Sequence, residues 1–148
     1  MTLGPSKQML MLGYDNIGGM SQGYWATTTD ALTFSSGGLG FPISRQVSCV
    51  HNGSVYCMAY RQSVGPVGYF AYSSTGATWT QVVAPSPIQW PHAICANGTT
   101  LLSIGGDTSG NYYATVSNDN GVSWSTPVAL PYGPVSYTHL TLPTIYSV

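Results

Sequence analysis

The chain contains no glutamate and very few charged residues of either sign. Charged side chains make up 5% of its 148 residues, whereas an average globular domain contains roughly 25%. The basic residues are Lys7, Arg45 and Arg61, and they are too few and too dispersed to neutralise a phosphate backbone. The sequence therefore predicts no nucleic-acid partner.

Long apolar runs and paired cysteines are also missing. No apolar segment approaches the roughly 20 residues that a membrane-spanning helix needs, so we expect no membrane span. The three cysteines, Cys49, Cys57 and Cys95, are odd in number and show no Cys-x-x-Cys or Cys/His spacing. We therefore expect at least one free thiol, no metal site and no cofactor.

Polar but uncharged residues replace the missing charges. Hydrophobic residues account for 43% of the chain, which is enough for a folded core, and solubility must come from Ser, Thr, Asn, Gly and Tyr. This composition is typical of extracellular, cell-surface or virion proteins. Residues 1–8 lack the features of a signal peptide, so we expect any export signal to be missing from this sequence.

The chain repeats itself with a strict period. Phe34, Trp79 and Trp124 follow one another at intervals of 45 residues, and the pairs Asn52-Gly53 and Asn97-Gly98 have the same spacing. About 40–45 residues is the size of one four-stranded propeller blade. The pattern predicts an all-β partial propeller of about three antiparallel blades, covering residues 1–40, 41–88 and 89–134.

Short strands and turn formers alternate within each copy. In the third copy, residues 93–96, 101–104, 111–116 and 125–130 read as strands, and the second copy has the same order. The first copy begins at residues 8–12 with its second strand, followed by a loop at residues 15–19, so its first strand is predicted to be absent. Residues 35–40 and the prolines at 85, 87 and 91 are predicted to lie in connections between blades.

The first hairpin of the second copy sets the register of two cysteines. A two-residue turn at Asn52-Gly53 would place Cys49 opposite Tyr56. Cys57 would then point to the other face of the sheet, so we expect no disulfide between the two cysteines.

A turn motif marks the end of each copy. The third copy matches the pattern Ser-x-Asp-x-Gly-x-Ser/Thr-Trp through Ser117, Asp119, Gly121, Ser123 and Trp124. The second copy retains Gly76, Thr78 and Trp79, with Ser74 at the Asp position; the first retains Thr33 and Phe34. Over residues 8–130 the chain resembles Asp-box β-propellers of the sialidase-like superfamily, whose repeat is that of bacterial neuraminidases.

The motif makes physical sense as a structural staple. Asp119 can accept hydrogen bonds from nearby backbone N–H groups, Gly121 allows a backbone conformation closed to other residues, and Trp124 can pack between blades. In the family the Asp-boxes lie on the face away from the catalytic pocket. We therefore expect these residues to hold the fold and to take no part in chemistry.

The resemblance also raises the question of sialidase activity. Such enzymes use three arginines, a Tyr/Glu nucleophile pair and an Asp acid/base, whereas this chain has two arginines and no glutamate. Its four aspartates show no pairing of the kind that glycoside hydrolysis requires. We expect no catalytic residue in this segment; if the parent protein is an enzyme, it is a sialidase-type glycoside hydrolase.

Aromatic residues are the remaining candidates for binding. The 11 tyrosines and four tryptophans could stack on sugars or fill the space between blades, and we favour packing because Tyr24, Tyr69 and Tyr113 occupy equivalent strands. Trp90 and His92 fall on a predicted connection between blades, outside the motif. They are the candidate binding residues.

The C-terminal tail breaks the repeat. Its sequence from Val135 to Thr144 resembles a translated transposase-adapter sequence, so residues 135–148 are predicted to be non-native and the chain to be a metagenomic gene fragment. The leading hypothesis is a fragment of an Asp-box propeller that serves as a glycan- or protein-binding or structural module of a secreted, surface or phage-tail-like protein. The alternative is a fragment of an exo-alpha-sialidase or related glycoside hydrolase whose catalytic residues lie in missing blades. The oligomeric state stays open.

Overall fold

The protein is built from three four-stranded β-sheets. A computed structural model describes residues 2–3, 8–17, 20–44, 47–62 and 65–131, and within these ranges every helical or extended element is a β-strand. The all-β prediction is confirmed. In each sheet, strands that are consecutive in sequence are hydrogen-bonded antiparallel neighbours. The predicted adapter-derived tail lies outside the described residues.

The sheets follow one another along the chain. The first sheet contains β1 (Thr2–Leu3), β2 (Met9–Ile17), β3 (Met20–Thr28) and β4 (Ser35–Gly38). The second sheet contains β5 (Ser48–His51), β6 (Tyr56–Arg61), β7 (Gly68–Ser73) and β8 (Thr80–Val83). The third sheet contains β9 (Trp90–Asn97), β10 (Thr100–Gly106), β11 (Tyr112–Ser117) and β12 (Val128–Ala129).

The first sheet differs from its prediction in three places. Thr2 pairs with Leu10 and Leu3 with Met9, so the prediction that the first copy lacks its first strand is wrong. Strand β2 continues through residues 15–17, where a loop was predicted, and β4 occupies residues 35–38, where a connection was predicted. Gly and Ser have low β-propensity, but hydrogen bonds to a neighbouring strand can override that preference.

The start of the third sheet also corrects the sequence analysis. Trp90 and His92 lie in strand β9 and not in a connection between sheets. Pro91 pairs with Gly105 and Ala93 with Ile104, so His92 is the extra residue of a β-bulge. Proline is tolerated there because β9 is an edge strand, where one missing N–H need not interrupt the sheet.

The cysteine register was predicted wrongly by two residues. The loop between β5 and β6 has four residues, and Asn52 Oδ1 closes it by accepting hydrogen bonds from the N–H groups of Ser54 and Val55. Cys49 therefore lies opposite Met58 instead of Tyr56. A shift of two residues preserves the faces, so Cys57 still points away from Cys49, and all three cysteines are free.

Two hydrophobic clusters join the three sheets. Side chains alternate in direction along a strand, so β6 and β7 supply Met58 and Ala71 to one cluster and Ala59 and Phe70 to the other. The first cluster also contains Leu39 and residues of the connection to the second sheet, and the second contains residues of the connection to the third sheet and Leu101. The second sheet is consequently buried on both faces.

Candidate functional site

A hydrogen-bonded turn follows β11 at residues 117–124, which we call the third turn. Asp119 Oδ1 accepts hydrogen bonds from Ser117 Oγ (2.8 Å) and from the N–H of Ser123 (2.9 Å), and Asp119 Oδ2 accepts one from Ser123 Oγ. Ser117 Oγ in turn accepts the N–H of Gly121 at 2.9 Å, and Trp124 Nε1 donates to the carbonyl of Gly121 at 3.2 Å. All five residues singled out from the third copy thus form one network.

These bonds favour the ionised form of Asp119. Hydrogen bonds from the side chain and the backbone of Ser123, and then from Ser117, lower the pKa of Asp119 to about 2. A carboxylate held in this way is poorly suited to act as a general acid near neutral pH, because it releases its proton far below that range. Its geometry is that of a turn staple.

The turn after β7, residues 73–79, is built in the same way without a carboxylate. Ser73 Oγ accepts the N–H of Gly76 at 2.8 Å, and Trp79 Nε1 donates to the carbonyl of Gly76 at 2.9 Å. Thr75 Oγ1 accepts the N–H groups of Ala77 (3.2 Å) and Thr78 (3.4 Å). Thr75 therefore takes the acceptor position that the sequence analysis had given to Ser74.

The turn after β3, residues 28–34, contains an aspartate that the motif comparison missed. Asp30 Oδ1 accepts the N–H groups of Leu32 and Thr33, each at 2.8 Å, and Thr28 Oγ1 donates to the same oxygen at 2.9 Å. The Thr33 side chain is the main cause of a lowered pKa at Asp30. Thr28 Oγ1 also accepts the N–H of Ala31 at 2.9 Å, as Ser117 does for Gly121.

A difference of one residue explains the missed positions. The first two turns span seven residues and the third spans eight. Counting back eight residues from Phe34 or Trp79, as in the third turn, therefore places the start of the turn one residue too early. Counting forward from the strand ends Thr28, Ser73 and Ser117 aligns all three networks. The extra residue of the third turn is Asn120, which has a φ of 63°.

The turn glycines contact the preceding sheet at equivalent positions. A Cβ on Gly76 would lie 3.2 Å from Thr27 Cγ2 and 3.3 Å from Leu10 Cδ1, two residues that pair in the first sheet. A Cβ on Gly121 would lie 3.1 Å from Cys57 Sγ and 3.6 Å from Tyr72 Cβ, the corresponding pair in the second sheet. One packing arrangement is therefore used at both junctions between sheets.

The turn aromatics differ in what they contact. The rings of Trp124 and Phe70 stack with centroids 3.9 Å apart, which ties the third turn to the second sheet. Trp79 packs against the cluster between the first two sheets. Phe34 is 50% exposed, because the first sheet has no preceding sheet among the described residues.

The opposite end of the sheets carries the predicted binding residue Trp90. The guanidinium carbon of Arg61 lies 5.2 Å from the centroid of the Trp90 ring, so the pair bridges the second and third sheets. Within the described part of the chain, Arg61 Nε and Trp90 Nε1 are buried and have no hydrogen-bond partner. Arg61 had not been singled out from the sequence, because its contact with Trp90 joins distant strands.

The second predicted binding residue, His92, lies beside the same strand end. Its ring is 5.6 Å from that of Tyr112, and burial lowers its pKa. The neighbouring loop is ordered by Asp107, which accepts hydrogen bonds from the N–H groups of Ser109 (2.8 Å) and Asn111 (2.9 Å). The structure shows contact of Trp90 with Arg61 and of His92 with Tyr112.

Two further features bear on the type of site. Among the described residues, no group of three His, Cys, Asp or Glu side chains is placed to hold a metal ion. The same part of the chain contains no helix with the length and hydrophobicity needed to cross a membrane. A scan against protein-family models found no match, and neither did a search of the curated proteins.

Proposed function

We propose that the chain is part of an Asp-box β-propeller that binds a glycan at the end of the sheets opposite the Asp-boxes. The observation that carries the proposal is the pair Arg61 and Trp90, which has two buried N–H donors without acceptors among the described residues. A buried donor without a partner is unfavourable by about 1–3 kcal/mol. A ligand that opens this strand end and supplies two acceptors would remove this penalty.

A sugar fits the chemistry of this pair. Sugar hydroxyl oxygens accept hydrogen bonds from indole and guanidinium groups, and a sugar carboxylate accepts them more strongly. Binding sites commonly combine apolar and aromatic walls with a few polar groups that fix orientation. Trp90, His92 and Tyr112 supply rings at this strand end, and Arg61 supplies the charge.

The repeated turns support the propeller part of the proposal. The three turns occupy the same end of their sheets and follow the third strand in each case. The second and third turns engage the preceding sheet in the same way, through Gly76 and Gly121. Such repetition from sheet to sheet is expected of blades that succeed one another around an axis.

Binding is favoured over hydrolysis by the state of the aspartates. Hydrogen bonds lower the pKa values of Asp30, Asp107 and Asp119, chiefly through Thr33, Asn111 and Ser123 respectively. The general acid of a glycosidase needs the opposite change, a raised pKa. We therefore assign these three carboxylates to turns and loops, and the Arg61–Trp90 pair to the ligand.

A glycan panel with neutral and carboxylate-bearing members tests the proposal. The native chain should bind one or more members in a calorimetric titration, and Arg61→Met and Trp90→Phe should each weaken that binding at least tenfold. Arg61→Met should leave the free energy of unfolding unchanged or higher, because it removes a buried donor that has no partner. Phe34→Ala, at the other end of the sheets, is the matched control and should bind normally.

Two outcomes would overturn it. Undiminished binding by both variants would remove the assigned site, and release of free sugar from a panel member would replace the binding module by a glycoside hydrolase.

A further inference from the structure

The outer face of the third sheet is apolar, and no other sheet among the described residues covers it. Residues that pair across antiparallel strands point to the same side, and the pairs Leu102–Cys95, Leu102–Val116, Ile104–Ala93 and Ala114–Val128 therefore share one face. Leu102 is 40% exposed and Ile104 is 38% exposed. We call this surface the trailing face.

The middle sheet shows what such a face normally contacts. Ser73 and Ser117 are the equivalent ends of β7 and β11. When the paired strands are aligned at these ends, Leu102 occupies the position of Cys57, and Ile104 occupies the position of Ala59. Cys57 and Ala59 are fully buried by the third sheet. The trailing face therefore presents the positions that a following sheet would cover.

The first sheet exposes the complementary surface. Met11 pairs with Ala26 and corresponds to the buried Met58, which packs toward the first sheet. Met11 and Tyr24 are both 42% exposed, and the turn aromatic Phe34 is half exposed. Ala31, which occupies the position of the turn glycines Gly76 and Gly121, belongs to the same surface. We call this surface the leading face.

We propose that the trailing face of one copy of this chain packs on the leading face of a second copy. Each copy carries both halves of a junction that the chain already uses twice, between its first and second and between its second and third sheets. The contact is head-to-tail, so its repetition either closes a ring or produces a filament. Two copies supply six sheets, within the typical four to eight blades of a closed propeller; this number rests on the proposed propeller, whereas the pairing of faces does not.

The equivalence identifies which residues meet across the new junction. Gly121 lies beside Cys57 within the chain, and a Cβ on it would be 3.1 Å from Cys57 Sγ. Ala31 corresponds to Gly121, and Leu102 corresponds to Cys57. Ala31 of one copy should therefore lie against Leu102 of the other.

Cross-linking tests this contact directly. In a Cys95→Ser background, which removes the exposed thiol, Ala31→Cys and Leu102→Cys proteins are purified, mixed and exposed to oxidised glutathione. A covalent dimer of the two variants is expected. Ala31→Cys mixed with Val83→Cys is the matched control, since Val83 is exposed on β8 and outside both faces, and it should yield no specific dimer.

Light scattering tests the assembly without engineered thiols. The native chain should have the mass of two copies, and Leu102→Asp should have the mass of one copy with unchanged circular dichroism. A native chain that remains monomeric across the accessible concentration range would overturn the proposal, and so would a Leu102→Asp protein that stays dimeric. Glycan binding provides an independent readout: Arg61 and Trp90 lie within one chain, so the Leu102→Asp protein should be monomeric and still bind the glycan.

Discussion

Asp119 shows how a single carboxylate can organise a turn. Both of its oxygens accept hydrogen bonds from residues within four positions along the chain. A neutral threonine performs the acceptor role in the second turn. The function of this position is therefore to accept backbone hydrogen bonds, and negative charge strengthens that function.

The lowered pKa of Asp119 predicts how acid affects the third turn. Because the folded-state pKa is about 2 against an ordinary value of 3.8, the carboxylate contributes stability above about pH 4, and the contribution is lost as the pH falls toward 2. An NMR titration of the Asp119 carboxyl carbon should give this pKa directly. In Ser123→Ala the pKa should rise toward 3.8, since the largest cause of the shift is removed; an unchanged titration would contradict the assignment.

Backbone conformation gives a second test at the scale of one residue. Gly121 has a φ of 85°, whereas the equivalent Ala31 has a φ of 61° in spite of its Cβ. The left-handed conformation is unfavourable for residues other than glycine by roughly 1–2 kcal/mol. Gly121→Ala should lower the free energy of unfolding by about that amount or more, because its Cβ also meets Cys57.

The reverse substitution is the control for strain. Ala31→Gly should raise the free energy of unfolding by up to about 1 kcal/mol, since glycine adopts positive φ without a steric penalty. Chemical denaturation of both variants in the monomeric Leu102→Asp background separates this effect from assembly. Destabilisation by Ala31→Gly would contradict the strain interpretation.

At the scale of the element, the turns act as staples between sheets. Trp124 stacks on Phe70 of the neighbouring sheet, but Phe34 has no such partner among the described residues. The aromatic residue of the turn therefore contributes differently to the free energy of unfolding in different copies, because its contribution depends on contact with the preceding sheet.

A pair of alanine substitutions measures this difference. Trp124→Ala should lower the free energy of unfolding by about 3 kcal/mol, near the lower end for a large aromatic residue because the ring is only partly buried. Phe34→Ala in the Leu102→Asp background should change it by less than about 1 kcal/mol. Equal losses in urea denaturation would show that the stacking on Phe70 is not what stabilises the third turn.

Local signals predicted the repeated turns well and several strands, among them β1 and β4, poorly. The aromatic spacing and the Asn-Gly pairs reflect interactions within a few residues, and they located the turns. Strand β1 has two residues and β4 consists of Ser and Gly, so their existence depends on a neighbouring strand and leaves no periodic signal. Thr28, Asp30 and Thr75 were missed because the turns differ in length by one residue.

The candidate site depended even more on distant contacts. Trp90 could be selected because it is an aromatic residue outside the motif, but its strand and its bulge could not be foreseen. Arg61 becomes part of the site only because β6 and β9 are brought together by the cluster between the second and third sheets. Such a juxtaposition is a property of the fold and not of either segment.

At the scale of the whole molecule, the second sheet is the best protected part. Its two faces are covered by separate clusters, whereas in the part of the chain that the structure describes the first and third sheets each have one face without a neighbouring sheet. Local opening requires least free energy where few apolar contacts must be broken. In the Leu102→Asp protein, hydrogen exchange should therefore be slowest for the amides of β6 and β7.

The native chain should show a different exchange pattern if two copies associate. Protection should then increase in β2, β3, β10 and β11, whose faces become covered, and change little in β6 and β7. Equal protection of all three sheets in the monomeric protein would contradict the two-cluster description of the core.

The four tryptophans are placed so that their intrinsic fluorescence can report on different parts of the molecule. Trp25 and Trp79 lie at the junction of the first and second sheets, and Trp124 lies at the junction of the second and third. Trp90 lies under the guanidinium of Arg61. Fluorescence from proteins that retain one tryptophan at a time can therefore follow the separation of each junction, and the occupancy of the proposed ligand site, without any attached label.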